Sequence, residues 1–211
     1  MKEVVMKKYL FFLNLFLFLL TRLNFSFGAM KEFCLRRLKK NPLDYHARFL
    51  LAGFYRSQGD NTAAIREYNF LIQQGHKNPI IVYGLAMATF KEGMIDDSHL
   101  YFKMFLDMDR NNKVALDHLG RINLIKENYS KAISFFERSL ALDPSSPLIS
   151  ENIAYCYYKT GNFESAYKSY QQAFVLNPSP DLEEKLNSVR RAIEMSQEEG
   201  DSIKKDQKER T

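Results

Sequence analysis

From Tyr45 to Pro180 one pattern returns every 34 residues, four times in succession. The first copy, 45–78, carries Leu51-Ala52, Tyr55, Gly59, Ala64, Tyr68 and Leu71. The second, 79–112, carries Leu85-Ala86, Gly93, Ser98, Phe102 and Phe105. The third, 113–146, carries Leu119-Gly120, Asn128-Tyr129, Ala132, Phe136, Ser139 and Pro144. The fourth, 147–180, carries Ile153-Ala154, Tyr157, Gly161, Ala166, Tyr170, Ala173 and Pro178. A fixed period of this length predicts a solenoid, because each unit buries its apolar face only against its neighbours. Each copy reads as a helix pair. Small residues at Ala52, Ala86, Gly120, Ala154 and at Ala64, Ser98, Ala132, Ala166 let the two helices approach closely. Tyr68, Phe102, Phe136 and Tyr170 then fill the gap between one pair and the next. Gly59-Asp60, Gly93, Asn128 and Gly161-Asn162 supply the turns, where glycine or asparagine takes left-handed dihedrals.

The pattern resembles the tetratricopeptide repeat family over about two-thirds of the chain. That family pairs a large and a small apolar residue in helix A, as Leu119-Gly120 and Ile153-Ala154 do. It places an alanine, an aromatic four residues on and a later proline across helix B. Ala132, Phe136 and Pro144 match, as do Ala166, Tyr170 and Pro178. The resemblance implies an all-α, right-handed superhelical solenoid of four helix pairs. Arg48 and Ser150 stand where the family often has a bulky aromatic, and His76 and Arg110 where proline is usual.

The flanks read as caps, which cover the exposed ends of a solenoid. Residues 29–44 form an N-terminal capping helix, with Asn41-Pro42 at the exit of what would be an earlier helix B. At the other end, over 181–199, Leu182, Leu186, Val189 and Ile193 make one apolar stripe on a charged helix. The mixed-charge run 200–211 is expected to be a disordered tail.

Lys2, Lys7 and Lys8 precede an apolar run of 12 residues, Tyr9 to Leu20, and Ser26-Phe27-Gly28-Ala29 suits cleavage before Ala29. Residues 1–28 therefore read as a secretory signal peptide, with an uncleaved N-terminal membrane anchor as the alternative. The run is short for a membrane span, which needs about 20 apolar residues. A bacterial source is inferred from this short signal and its compact positive start, so the repeats are expected in the periplasm, either exported or anchored to the inner membrane. Without residues 1–28 the formal charge drops from +5 to +2, and no basic motif with a nucleic-acid docking geometry stands out. The local excess of Lys31, Arg36, Arg37, Lys39, Lys40 and Arg48 reads as a solvated helix face or a contact to anionic lipid.

Cys34 and Cys156 are separated by three whole repeats and are expected to be free thiols, since a disulfide needs Cα atoms within about 7 Å. The four histidines share no metal-ligand spacing, and Asp117-His118 diverge around their helix. No nucleophile motif, phosphate loop or paired-carboxylate signature is present. The expectation is a non-enzyme with no catalytic residues, no metal site and no cofactor.

Function then rests on the face of the A helices. In the family the resemblance points to, the fifth, ninth and twelfth residues of helix A commonly face the ligand in a concave groove. Here these are Phe49, Gly53 and Arg56; Tyr83, Met87 and Phe90; Asp117, Arg121 and Leu124; and Glu151, Tyr155 and Tyr158. Phe49 and Gly53 replace the lysine and asparagine with which some members clamp acidic chaperone tails, which argues against that use. The aromatic and charged lining suits a partner segment with apolar anchors. The reading is a protein-protein interaction scaffold of the cell envelope. The alternatives are a glycan or small-molecule binder serving an envelope enzyme, with Tyr155 and Tyr158 stacking a sugar, and self-association through an imperfect cap.

Overall fold

Asp44, Asn78, Asn112 and Ser146 recur at the 34-residue period, each just before a helix, and the first three cap it. Their side chains accept from the amides of Ala47, Ile81 and Ala115, each at 3.0 Å, satisfying donors that the first helical turn leaves orphaned. Pro79 and Pro147 occupy first helical positions, where a missing N–H is harmless.

The structure is a computed structural model describing residues 27–209. The expected export segment lies outside the described residues except for Phe27 and Gly28. Among the described residues there are ten α-helices and no strand. They are α1 (Phe27–Lys40), α2 (Tyr45–Ser57), α3 (Asn61–Gln73), α4 (Pro79–Lys91), α5 (Ile95–Met108), α6 (Lys113–Ile125), α7 (Tyr129–Leu142), α8 (Pro147–Lys159), α9 (Phe163–Leu176) and α10 (Pro180–Glu209). No helix among them is long and apolar enough to cross a membrane. The fold is an all-α helical repeat. The chain divides between Met94 and Ile95 into two compact units, so the division falls inside the second repeat.

In the first unit each helix packs on the next, and α2 also touches α4. The cap α1 buries Cys34 against Ala47 and Leu51, flanked by Met30 and Leu38. Arg48 explains its departure from an aromatic: its guanidinium lies 3.6 Å from the Phe70 ring centroid and bonds Glu67 at 2.6 Å. A flat cation thus covers the ring that an aromatic would otherwise cover. His76 has a comparable role, its ring 4.5 Å from that of Tyr45.

In the second unit α5 to α10 again pack in sequence. Ala132, Phe136, Ile149, Ile153 and Cys156 form one core, and Ala154, Ala166, Tyr170 and Ala173 join Leu182, Leu186 and Val189 of α10 in another. The expected small and aromatic positions are buried in all four repeats. A Cβ on Gly120 would enter the ring of Phe136, and one on Gly84 the ring of Tyr68.

Two expectations need correction. The left-handed residue in the third turn is Glu127, at φ 57°, rather than Asn128, which has φ −82° and makes no side-chain cap bond. Glu127 occupies the position held by Gly59, Gly93 and Gly161 elsewhere, all at positive φ. The repeat imposes that geometry: in all four turns the next amide reaches back five residues, as Asn128 N–H does to the Asn123 carbonyl at 2.8 Å. The second correction concerns the tail, because α10 does not stop at Glu199 but runs to Glu209. Gly200 costs such a helix about 1 kcal/mol, yet Glu, Lys and Gln around it are strong helix formers.

Candidate partner-binding site

The A helices are α2 and α4 in the first unit and α6 and α8 in the second. On α2, Phe49 is half-buried and stacks on Tyr45, with centroids 6.1 Å apart and planes at 5°. The Tyr45 hydroxyl in turn accepts from Asn78 Nδ2 at 3.0 Å. Gly53 faces open space, with nothing within 4 Å of where a Cβ would stand. Arg56 is half-buried near Tyr68, whose hydroxyl is held above its ordinary pKa by burial, with Arg56 offsetting part of that. Tyr83, Met87 and Phe90 are half-buried on α4, a helix that also buries Ile81, Val82, Leu85, Ala86 and Ala88.

In the second unit the six candidates separate into two groups. Asp117 is engaged inside its own repeat: Lys113 Nζ donates to it at 3.1 Å and the Ser139 hydroxyl also bonds it. Glu151 is tied to the capping helix, accepting from Lys185 Nζ at 2.5 Å. Lys185 also bonds Asp181 at 2.6 Å, and these two carboxylates raise its pKa well above the ordinary lysine value. Leu124 packs against the Phe136 core. Sequence reasoning missed Lys185 as the partner of Glu151, although the spacing of 34 residues was itself a signal.

Arg121, Tyr155 and Tyr158 are exposed. The two tyrosines expose 39% and 37% of their surface, although Ile153, Ala154 and Cys156 beside them are buried. Lys159 Nζ lies 5.7 Å from the Tyr155 ring centroid, and Tyr158 meets Phe163 at 5.6 Å with planes at 57°. Buried Tyr170 lies within electrostatic reach of both; burial pushes its hydroxyl up to about 12. The result is an aromatic patch with hydroxyl and ammonium groups at its edge, able to hold an apolar side chain and bond the backbone around it.

Both cysteines are buried and free. Burial pushes the Cys156 thiol up to about 11, a poor nucleophile at neutral pH.

Stacked helix pairs of this kind have counterparts among known proteins. Residues 35–79 and 124–181 match sequence models of the tetratricopeptide repeat. A TPR repeat-containing protein of Methanocaldococcus jannaschii, MJ1428, is 28% identical over 130 residues, which is 57% of this chain and 23% of that protein. The chain spans less than a quarter of the length of the curated relatives it matches. Among solved structures, YrrB, described as a TPR protein with an unusual peptide-binding site, aligns with a TM-score of 0.72 at 18% identity. That alignment covers 82% of this chain and 87% of YrrB. MamA protein aligns with a TM-score of 0.67 at 19% identity, covering 76% of this chain and 88% of its own. At these identities the structural likeness shows the fold. Tetratricopeptide-repeat proteins generally mediate protein-protein interaction.

Proposed function

We propose that this chain is a non-catalytic interaction module that holds a segment of a partner protein against the A-helix face of its second unit. Arg121, Tyr155 and Tyr158 are the contact residues in this reading. The observation that carries it is the exposure of two tyrosines, 39% and 37%, on a helix whose neighbouring residues are buried. Two exposed rings three residues apart share one helix face, and clustered aromatic surface of this kind suits coverage by a partner. The peptide-binding site named for YrrB is consistent with such a use of the fold. The module is proposed to act in the periplasm, delivered there by residues 1–28 as a cleaved signal or an anchor.

The test is recovery of the tagged full chain from crosslinked bacterial envelopes, comparing wild type with Tyr155→Ala/Tyr158→Ala. A protein captured at near-stoichiometric amount by wild type and lost by a still-folded variant is the expected result. Equal capture by both would overturn the assigned contact residues. Capture of cytosolic proteins alone, with the chain absent from the envelope fraction, would overturn the location. Thermal stabilisation by soluble wall glycan without any captured protein would shift the reading to a glycan binder.

A further inference from the structure

Within the second unit, α5, α6 and α7 enclose a cleft of about 590 Å³, the size that takes a small ligand or a few residues of a peptide. It opens on the other side of α6 from the candidate A-helix residues. Leu119 and Asn123 line it, and they sit about 200° around the helix from Asp117 and Arg121 at about 100° per residue.

Asn123 stands where the first and fourth repeats carry Tyr55 and Tyr157 and the second carries Thr89. The Tyr157 ring fills its repeat, packing against both cores of the second unit. The shorter Asn123 is buried, its Nδ2 donating to the Leu119 carbonyl at 2.8 Å.

The walls are basic. Lys103 and Arg110 come from α5 and the loop after it, Lys131 and Arg138 from α7, and Lys126 from the end of α6. Among the lining residues Asp107 is the only carboxylate. Lys126 pairs with Asp96, and Arg138 Nη2 donates to the Arg110 carbonyl at 3.2 Å. Lys103 and Lys131 make no ion pair among the described residues. Burial first, then Lys126 and Lys103, hold the His99 imidazole below its ordinary pKa. The floor is apolar, made by buried Leu106 and Leu119 beside half-buried Phe135.

We propose that this cleft is a second binding site, independent of the tyrosine patch, for an acidic peptide segment with an apolar anchor side chain. Guanidinium and ammonium groups on facing helices suit carboxylates arriving from either side, and the floor suits one leucine-sized group. A nucleic acid fits less well. Its phosphates need a row of cations along an extended track, whereas these converge on one pocket with an apolar base.

The test is fluorescence anisotropy of the full chain with a labelled dodecapeptide of glutamates around a single central leucine. The expected result is saturable binding that weakens about tenfold or more in Lys103→Glu/Lys131→Glu. Asn123→Tyr, which places a bulky ring at the cleft wall without changing charge, should lose binding to a similar extent. Tyr155→Ala/Tyr158→Ala and the remote charge reversal Lys168→Glu should bind as wild type, with circular dichroism confirming that every variant is folded. The proposal is overturned if the peptide fails to bind, or if Lys168→Glu weakens it as much as the cleft reversal. Tighter binding of a single-stranded oligonucleotide that competes the peptide off would also overturn it. Failure of the tyrosine patch leaves these readouts untouched, so the two sites are judged separately.

Discussion

Glu127 holds a backbone conformation that the other three turns give to glycine, at φ 57°. A residue with a Cβ in the left-handed region is disfavoured by roughly 1–2 kcal/mol, because Cβ crowds the following carbonyl oxygen. Glu127→Gly should therefore raise stability, by about 0.5–1 kcal/mol once the extra freedom of glycine in the unfolded chain is counted. A denaturant midpoint that fails to rise would mean the turn relaxes around the glutamate. His118 is a second residue with a measurable signature. Its ring stacks on Phe102 with centroids 4.5 Å apart, and burial, aided by Arg121, pushes its pKa down to about 4 from 6.5. Between those values the folded chain binds fewer protons on this ring than the unfolded chain, so stability falls as the pH drops through that window. The loss is at most roughly 3 kcal/mol. Unfolding midpoints from pH 7 to pH 4 should slope more steeply for wild type than for His118→Gln, with His99, shifted the same way, contributing to the slope that remains.

Helices in this chain are specified by what they must touch. Gly120 is invaded by the Phe136 ring, whereas Gly53, one place further along its own A helix, faces open space. Gly120→Leu should lower stability by about 1–3 kcal/mol through overpacking. Gly53→Ala should instead be neutral or add about 0.5–1 kcal/mol of helix propensity. Thermal melts of the two variants decide whether the repeat register is the one described. At α10 the apolar stripe that seals the fourth repeat ends at Ile193, while the helix itself continues to Glu209. Periodicity located the stripe and missed the extension. The sequence beyond Ile193 carries no apolar period, and the mixed charge of 200–211 reads as a solvated tail.

At the scale of the molecule, the two units each contain one cysteine, Cys34 in the first and Cys156 in the second, both fully buried. Neither should react with iodoacetamide in the native protein. In rising denaturant, alkylation of each, followed by peptide mass spectrometry, should track the unfolding of its own unit; labelling of Cys156 without denaturant would refute its place in the core. The sequence by itself determined the helix pairs, the small and aromatic core positions, three of the four left-handed turns and the apolar seal. Each of these is written in local propensity or in a one-dimensional period, and the 34-residue register repeats it four times. It also marked Tyr155 and Tyr158 by position. Only the tertiary structure decided that Asp117 is bonded by Ser139 and Glu151 by Lys185, and that Lys103, Lys126, Lys131 and Arg138 converge on one cleft. Those groups meet across helices, and the apolar period that locates the helices does not say which charges face each other. Which charges end up paired and which face open space is set by how the helices dock.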